Sequence, residues 1–238
     1  MTRRRWIADE VRGTRAALIG AHAEHLSRVL RARVGQEFDI TVGDEVRRGR
    51  ITAIAEDRVE FELGDLVPVS AAPHITLALS IFKFDRMEWA IEKCTELGAS
   101  RIVPVVSRRT EPHLAAAAAK RVERWRRIAV QAAEQSRRIG PPEISQVTKL
   151  KDVLTLPESM RIVLSETEKE AMLRQVLQSH FPEGTVVLAL GPEGGWAEEE
   201  TSAFRQAGWL SASLGGTILR TETAAIAAMA VTLAELHP

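Results

Sequence analysis

The chain has 238 residues, 45% hydrophobic and 27% charged, enough for one or two buried cores, and its 32 basic and 32 acidic residues cancel. Its apolar stretches stop far short of the roughly 20 residues of a bilayer helix, and MTRRRW runs into charged residues instead of the apolar core of a secretory signal. The single Cys94 leaves no partner for an intramolecular disulfide, so a soluble cytoplasmic protein is the expectation.

Residues 1–66 read as β-rich. QEFDITV (36–42), RRGRITAIA (47–55) and RVEFEL (58–63) alternate polar and apolar residues, as half-buried antiparallel strands do. Gly43-Asp44 and Glu56-Asp57 fall between them at turn positions. A short helix is predicted over Ala23–Arg31, with Leu26, Val29 and Leu30 on one face. A small barrel or sandwich with one helix fits this pattern. VPVSAAPH (67–74) reads as a linker.

From His74 the grammar changes. HITLALSIF (74–82) is a continuous apolar run, suited to a strand covered on both faces. Phe84–Leu97 is an amphipathic helix with Met87, Ile91, Cys94 and Leu97 on one side, and Gly98 stops it. RIVPVV (101–106) is a strand, followed by a long helix over Ala116–Arg138. Strand RIVLSE (161–166), helix Lys169–Leu177, strand VVLALG (186–191), helix Glu198–Gln206, strand LSASL (210–214) and a final helix through Leu236 complete the chain. Strands alternating with helices predict an α/β domain with a mostly parallel sheet and helices on both faces.

Two segments carry chemistry. VVLALGPEGGW sets a glycine-rich loop after an apolar strand and before a helix, where open α/β sheets bind ligands. It is neither a dinucleotide fingerprint nor a phosphate loop. Glu193 lies inside it, and Glu198, Glu199 and Glu200 open the next helix; acids there repel phosphate and suit a neutral or cationic ligand. LGGTILRTETAAIAAMA repeats the layout, with Gly215 and Gly216 free to take unusual dihedrals and Thr221 or Thr223 as helix caps. Its alanine-rich stretch (224–230) lets another backbone approach closely. Six scattered histidines and one cysteine give no ligand spacing, so no metal is expected.

The cancelled charge hides an asymmetry. Residues 101–140 carry ten basic residues against three acids, whereas 151–238 carry six against twelve. Of the 32 basic residues, 26 are arginine, the side chain that grips phosphate in a planar fork.

GPEGG with its following acids, then LGGTILRTETA, closely resembles the bacterial 16S ribosomal RNA uracil-N3 methyltransferases of the SPOUT superfamily. HLSRVLRARVGQEFDI (25–40), KFDRMEWAIEKCTELGASRIVP (83–104) and RWRRIAVQAAEQSRR followed by PPEI (124–144) resemble that family's upstream motifs in order. The resemblance implies a PUA-like RNA-binding β-barrel over 1–70 and a SPOUT methyltransferase domain with a C-terminal trefoil knot over 71–238. It implies S-adenosyl-L-methionine as cosubstrate, 16S rRNA of the small subunit as partner rather than DNA or a membrane, and a homodimer. The cosubstrate pocket would be made by Ser165, Glu166 and Thr167, by Leu190, Gly191, Pro192, Glu193, Gly194 and Gly195, and by Leu214, Ile218, Leu219, Arg220 and Thr223. RNA contacts would come from Arg3, Arg4, Arg5, His25, Arg28, Arg31 and Arg33, with Trp6, and from Arg108, Arg109, Arg137 and Arg138. N3 of uracil must lose a proton, so Arg220 is the candidate to stabilise the developing charge and Glu193 or Glu222 the candidate to accept the proton.

Overall fold

The computed structural model describes residues 5–43, 45–68, 73–136, 138–179 and 184–236. The chain divides into two compact units, one of residues 1–71 with 137–140 and the other of the remainder.

The first unit holds β1 (Arg5–Ile7), β2 (Glu10–Arg12), β3 (Arg15–Ile19), β4 (Glu37–Val42), β5 (Glu45–Ile54) and β6 (Arg58–Leu66). The ladder runs β1-β4-β5-β6-β3-β2, with only the β1–β4 pair parallel. It is one open ladder with β1 and β2 at its edges. The first three strands escape the sequence because three to five residues are too few to display a period. Leu18, Leu26, Ile40, Ile51, Val59, Phe61 and Leu63 form its core. Gly49 sits mid-strand because a Cβ there would overlap Ile40 Cγ1, and bulges flank it at Arg47/Gly49 and Ile51/Ala53. The predicted helix over 23–31 is instead α1 (Ala21–Glu24), continued by a π-helical turn over His25–Val29. Arg31 then takes φ +51°, which ends the turn, and the wider turn leaves Val29 64% exposed instead of on the buried face. Asp44 of the predicted turn, and 69–72 of the predicted linker, lie outside the described residues.

The second unit is built on β7 (His74–Ser80), β8 (Arg101–Val106), β9 (Glu143–Ile144), β10 (Thr148–Lys149), β11 (Met160–Leu164), β12 (Thr185–Leu190) and β13 (Leu210–Ala212). Every pairing is parallel, in the order β10-β8-β7-β12-β11-β13 with β9 beside β8. Period-two alternation splits each strand between two cores. Ile75, Leu77 and Leu79 face one side with Ile162, Leu164, Val186, Leu188 and Leu190; Ala78, Val103, Val163, Val187 and Ala189 face the other. The first side is covered by α2 (Phe84–Glu96), α3 (Pro112–Ala118), α4 (Val122–Gln135), α6 (Leu173–Ser179) and α8 (Thr221–Leu236). The second is covered by α5 (Leu150–Val153) and α7 (Glu198–Gln206), whose Phe204 stacks edge to face between Trp196 and Trp209 at 4.9 Å each. Cys94 is wholly buried, and burial pushes its thiol pKa up.

Two sequence expectations change. The long helix over 116–138 is α3 and α4 joined by a 3₁₀ turn at Ala119–Arg121. Leu114, Ala118, Val122, Trp125 and Ala129 stay on one buried stripe through the joint, so the apolar period gives no sign of it. The helix predicted from Lys169 begins at Leu173, because 165–172 forms a loop: Ser213 N donates to Ala171 O (2.8 Å) and Leu173 N to Ser213 O (2.9 Å). Among the described residues, no helix is long and apolar enough to cross a membrane.

Candidate functional site

Three loops leave the carboxyl ends of β11, β12 and β13 and are laced together. Ser165 N donates to Ala212 O at 3.0 Å, and Met172 forms a parallel bridge with Ser213. Within the first loop Ser165 Oγ and Thr167 Oγ1 are 2.8 Å apart, and the Glu168 carboxylate accepts from Glu170 N (2.9 Å) and Ala171 N (3.2 Å). Those two backbone donors hold the Glu168 carboxyl below the ordinary carboxylate range. In the third loop Gly215 N donates to Ser213 Oγ at 3.2 Å.

The glycines of GPEGG are fixed by close approach. Gly195 N donates to Pro192 O at 2.8 Å, closing a turn, and Gly195 takes φ +67°. A Cβ on Gly195 would lie 2.8 Å from Glu166 Oε1, and one on Gly191 would lie 3.2 Å from the carbonyl carbon of Gly195. Conformation favours glycine at Gly195, and the neighbouring backbone leaves little space for a side chain at Gly191. Trp196 donates its Nε1–H to Leu164 O at 3.1 Å, tying the second loop to the strand behind the first.

A fourth segment joins them from β8. Ser107 and Thr110 are buried, with their hydroxyl oxygens 2.9 Å apart and Ser107 N donating to Thr110 Oγ1. The buried Glu200 carboxylate accepts from Arg108 N (2.7 Å) and Ala197 N (2.9 Å), clamping this turn to the start of α7. Arg109 then donates from Nη1 to Gly194 O at 2.6 Å.

Together these segments enclose a cavity of about 430 Å³, the size range of small-ligand sites. Ser165, Glu166, Thr167, Leu190, Gly191, Pro192, Gly195, Leu214, Ile218 and Leu219 line it, as do Arg109, Trp196, Glu198, Thr201, Arg205 and Thr221. Of the residues that the sequence grouped with them, Glu193, Gly194, Arg220 and Thr223 are off the wall. Glu193 and Arg220 are exposed. Glu222 is also off the wall: it is 3% exposed and faces α2, where Arg86 Nε lies 3.8 Å from its Oε1. Of the acids at the start of α7 only Glu198 lines the cavity; Glu199 lies 3.8 Å from Arg108 Nη1, and Glu200 is consumed by backbone donors.

The basic candidates scatter over both units. Arg5 lies on β1, and Arg28, Arg31, Arg33 and His25 are exposed near the π-helical turn. His25 packs its ring 5.7 Å from that of Trp6. Arg28 donates to Glu56 Oε1 at 3.0 Å. Arg138 groups with the first unit, and burial lowers its pKa from the ordinary guanidinium value. Arg108 and Arg109 are exposed on the turn after β8. Arg3, Arg4 and Arg137 lie outside the described residues. Among the described residues no cluster of three His, Cys, Asp or Glu side chains has metal-binding geometry.

An all-parallel sheet with a glycine-rich cavity at its strand ends, walled by two glutamates and two arginines, defines an α/β domain with a small-ligand site. The RNA methyltransferase domain profile matches residues 70–233, and the chain belongs to that family. It is 34% identical over 219 residues to the ribosomal RNA small subunit methyltransferase E of Synechocystis sp., covering 90% of this chain and 71% of the relative. The protein of the same description from Aquifex aeolicus is 28% identical, with 94% and 96% covered. The crystal structure of ribosomal RNA small subunit methyltransferase E from Neisseria gonorrhoeae, bound to S-adenosyl methionine, is similar with a TM-score of 0.75. Its identity is 31%, and the match covers 96% of this chain and 95% of that one.

Proposed function

We propose that the chain transfers the methyl group of S-adenosylmethionine to N3 of a uridine in 16S ribosomal RNA of the small subunit. The observation that carries this reading is the cavity of the three laced loops, in a chain similar to an S-adenosyl methionine-bound rRNA methyltransferase. Its wall fits that cosubstrate. Leu190, Leu214, Ile218 and Leu219 offer apolar surface to an adenosine, Ser165 and Thr167 offer hydroxyls, and Glu166 and Glu198 oppose a sulfonium with negative charge. The glycine cradle lets backbone approach the ligand. The group so held supplies an electrophilic methyl on cationic sulfur; the loops orient it and exclude water, and positioning of this kind provides much of the acceleration.

The first unit serves as the PUA-like RNA-binding domain, with Arg5, His25, Arg28 and Arg31 contributing phosphate or base contacts. The exposure of His25, Arg28 and Arg31 supports this. The C-terminal part is a SPOUT-type trefoil knot, a reading supported by the lacing of 165–172 with Ser213. A homodimer is supported by an apolar recess of about 440 Å³ between α2 and α8, bordered by Trp89 at 48% exposure, Leu97 and Ile226. A second copy covers it, and the enzyme works in the cytoplasm.

Small subunits from a strain lacking this modification test the reading. Incubated with the protein and methyl-labelled cosubstrate, they acquire label at N3 of one uridine. Label on a ribose oxygen contradicts the assignment.

A further inference from the structure

We propose that Arg109 and Glu166 face the reacting base: the Arg109 guanidinium bonds a uracil carbonyl oxygen, and the Glu166 carboxylate takes the N3 proton. This rests on the reading that uracil N3 is the acceptor.

N3 of uracil is an imide nitrogen. It carries a proton, and its electrons are drawn into two flanking carbonyls, so it attacks a methyl group only as the proton leaves. A site for this reaction needs a base near N3 and a cation near O2 or O4. Among the described residues, two acids line the cavity, Glu166 and Glu198. Glu198 belongs to the first turn of α7, where its charge already complements the helix dipole. Glu166 instead lies against Gly195, and among the described residues its carboxylate has no hydrogen bond or ion pair. It is available to accept a proton.

Arg109 and Arg205 are the basic residues on the wall. Arg205 makes no side-chain hydrogen bond or ion pair among the described residues, so nothing fixes its head. Arg109 issues from a turn locked by Ser107, Thr110 and Glu200. Its stem runs along Gly194, with Cδ 3.4 Å from where a Cβ would stand, and one of its five N–H donors holds Gly194 O. The two side chains therefore meet one dipeptide, Gly194-Gly195, and Arg109 does so from a pre-organised position. A cation placed in advance stabilises developing charge without reorganising during the reaction.

The step balances. Glu166 takes the N3 proton as the nitrogen lone pair bonds the methyl carbon. The carbon–sulfur bond breaks with its electron pair left on sulfur, which becomes a neutral thioether. Arg109 stays a cation throughout, bonded to the oxygen on which the imide charge gathers, and Glu166 returns its proton to solvent.

The test compares the full chain with Arg109→Ala, Arg109→Lys and Glu166→Gln. Single-turnover rates are followed against pH on RNA carrying uracil or 5-fluorouracil at the target, and S-adenosylmethionine binding is measured by calorimetry. Arg109→Ala slows transfer by about 10²–10³-fold, as loss of an oxyanion donor does. Glu166→Gln slows it by about 10²–10⁴-fold, as loss of a general base does. Arg109→Lys recovers part of the rate, and the deficits of all three persist at saturating S-adenosylmethionine. Both deficits shrink as pH rises and on the fluorinated base, because each makes the N3 proton easier to lose. Deficits that hold constant with pH and fluorination overturn the inference. So does lost cosubstrate affinity with a normal rate at saturation. Wild-type label on a ribose oxygen overturns the N3 reading itself, a failure distinct from pH-independent variants of an enzyme that does methylate N3.

Discussion

The basic surface of the first unit and the loops of the second are held in opposite ways. Arg28 reaches Glu56 at 3.0 Å between two exposed side chains, and Arg31 and Arg33 stand in solvent. Such pairs contribute little and exchange freely for phosphate. In the second unit the loops are fixed by backbone bonds, by the close-set Gly191 and Gly195 of the second loop, and by the buried Glu200 carboxylate spanning two segments. One region suits graded, replaceable contact; the other suits a single geometry.

Gly195→Ala tests that contrast hardest. Alanine is strained at this positive φ and its Cβ displaces Glu166 Oε1 from the cavity wall, so S-adenosylmethionine binding disappears in calorimetry and stability falls by about 1 kcal/mol or more. Retained binding would show that the cavity adapts. Glu200→Ala comes next. It strands the N–H groups of Arg108 and Ala197, which costs about 1–3 kcal/mol in urea unfolding and slows turnover by loosening the turn that carries Arg109. Arg28→Ala and Arg31→Ala have smaller, additive effects. Each weakens RNA binding and lowers the slope of log affinity against log salt by about 0.7–0.9, with cosubstrate binding untouched. An all-or-none loss from either would erase the distinction between the regions.

The smallest effect concerns Glu168. Its folded pKa lies below the ordinary value because Glu170 N and Ala171 N bond the charged form. The stabilisation is therefore complete above the ordinary carboxylate pKa and is lost as pH falls through the folded one. Thermal unfolding of wild type and Glu168→Gln differs at neutral pH, and the two curves converge in acid.

Much of the second unit was legible because its physics is periodic. HITLALS and TVVLAL are mostly apolar, and their alternate residues enter two cores. GPEGG announced its loop through residues that only a tight turn requires. What stayed hidden depends on elements distant in sequence. Arg109 reads in sequence as one of several RNA-contacting arginines; only the neighbouring of β8, β7 and β12 brings it to Gly194, 85 residues away. Glu222 reads as an open helix-start acid, yet the packing of α2 on α8 buries it beside Arg86. Glu198, Glu199 and Glu200 look alike in sequence and have three different fates, because helix geometry points successive residues about 100° apart.

The central claim is that the three laced loops bind S-adenosylmethionine. Calorimetric titration of the full chain with S-adenosylmethionine, its demethylated product and NAD tests it most directly. The account predicts saturable binding of the first two, lost in Gly195→Ala, and no heat from NAD. Binding of NAD, or S-adenosylmethionine binding indifferent to Gly195→Ala, would contradict it.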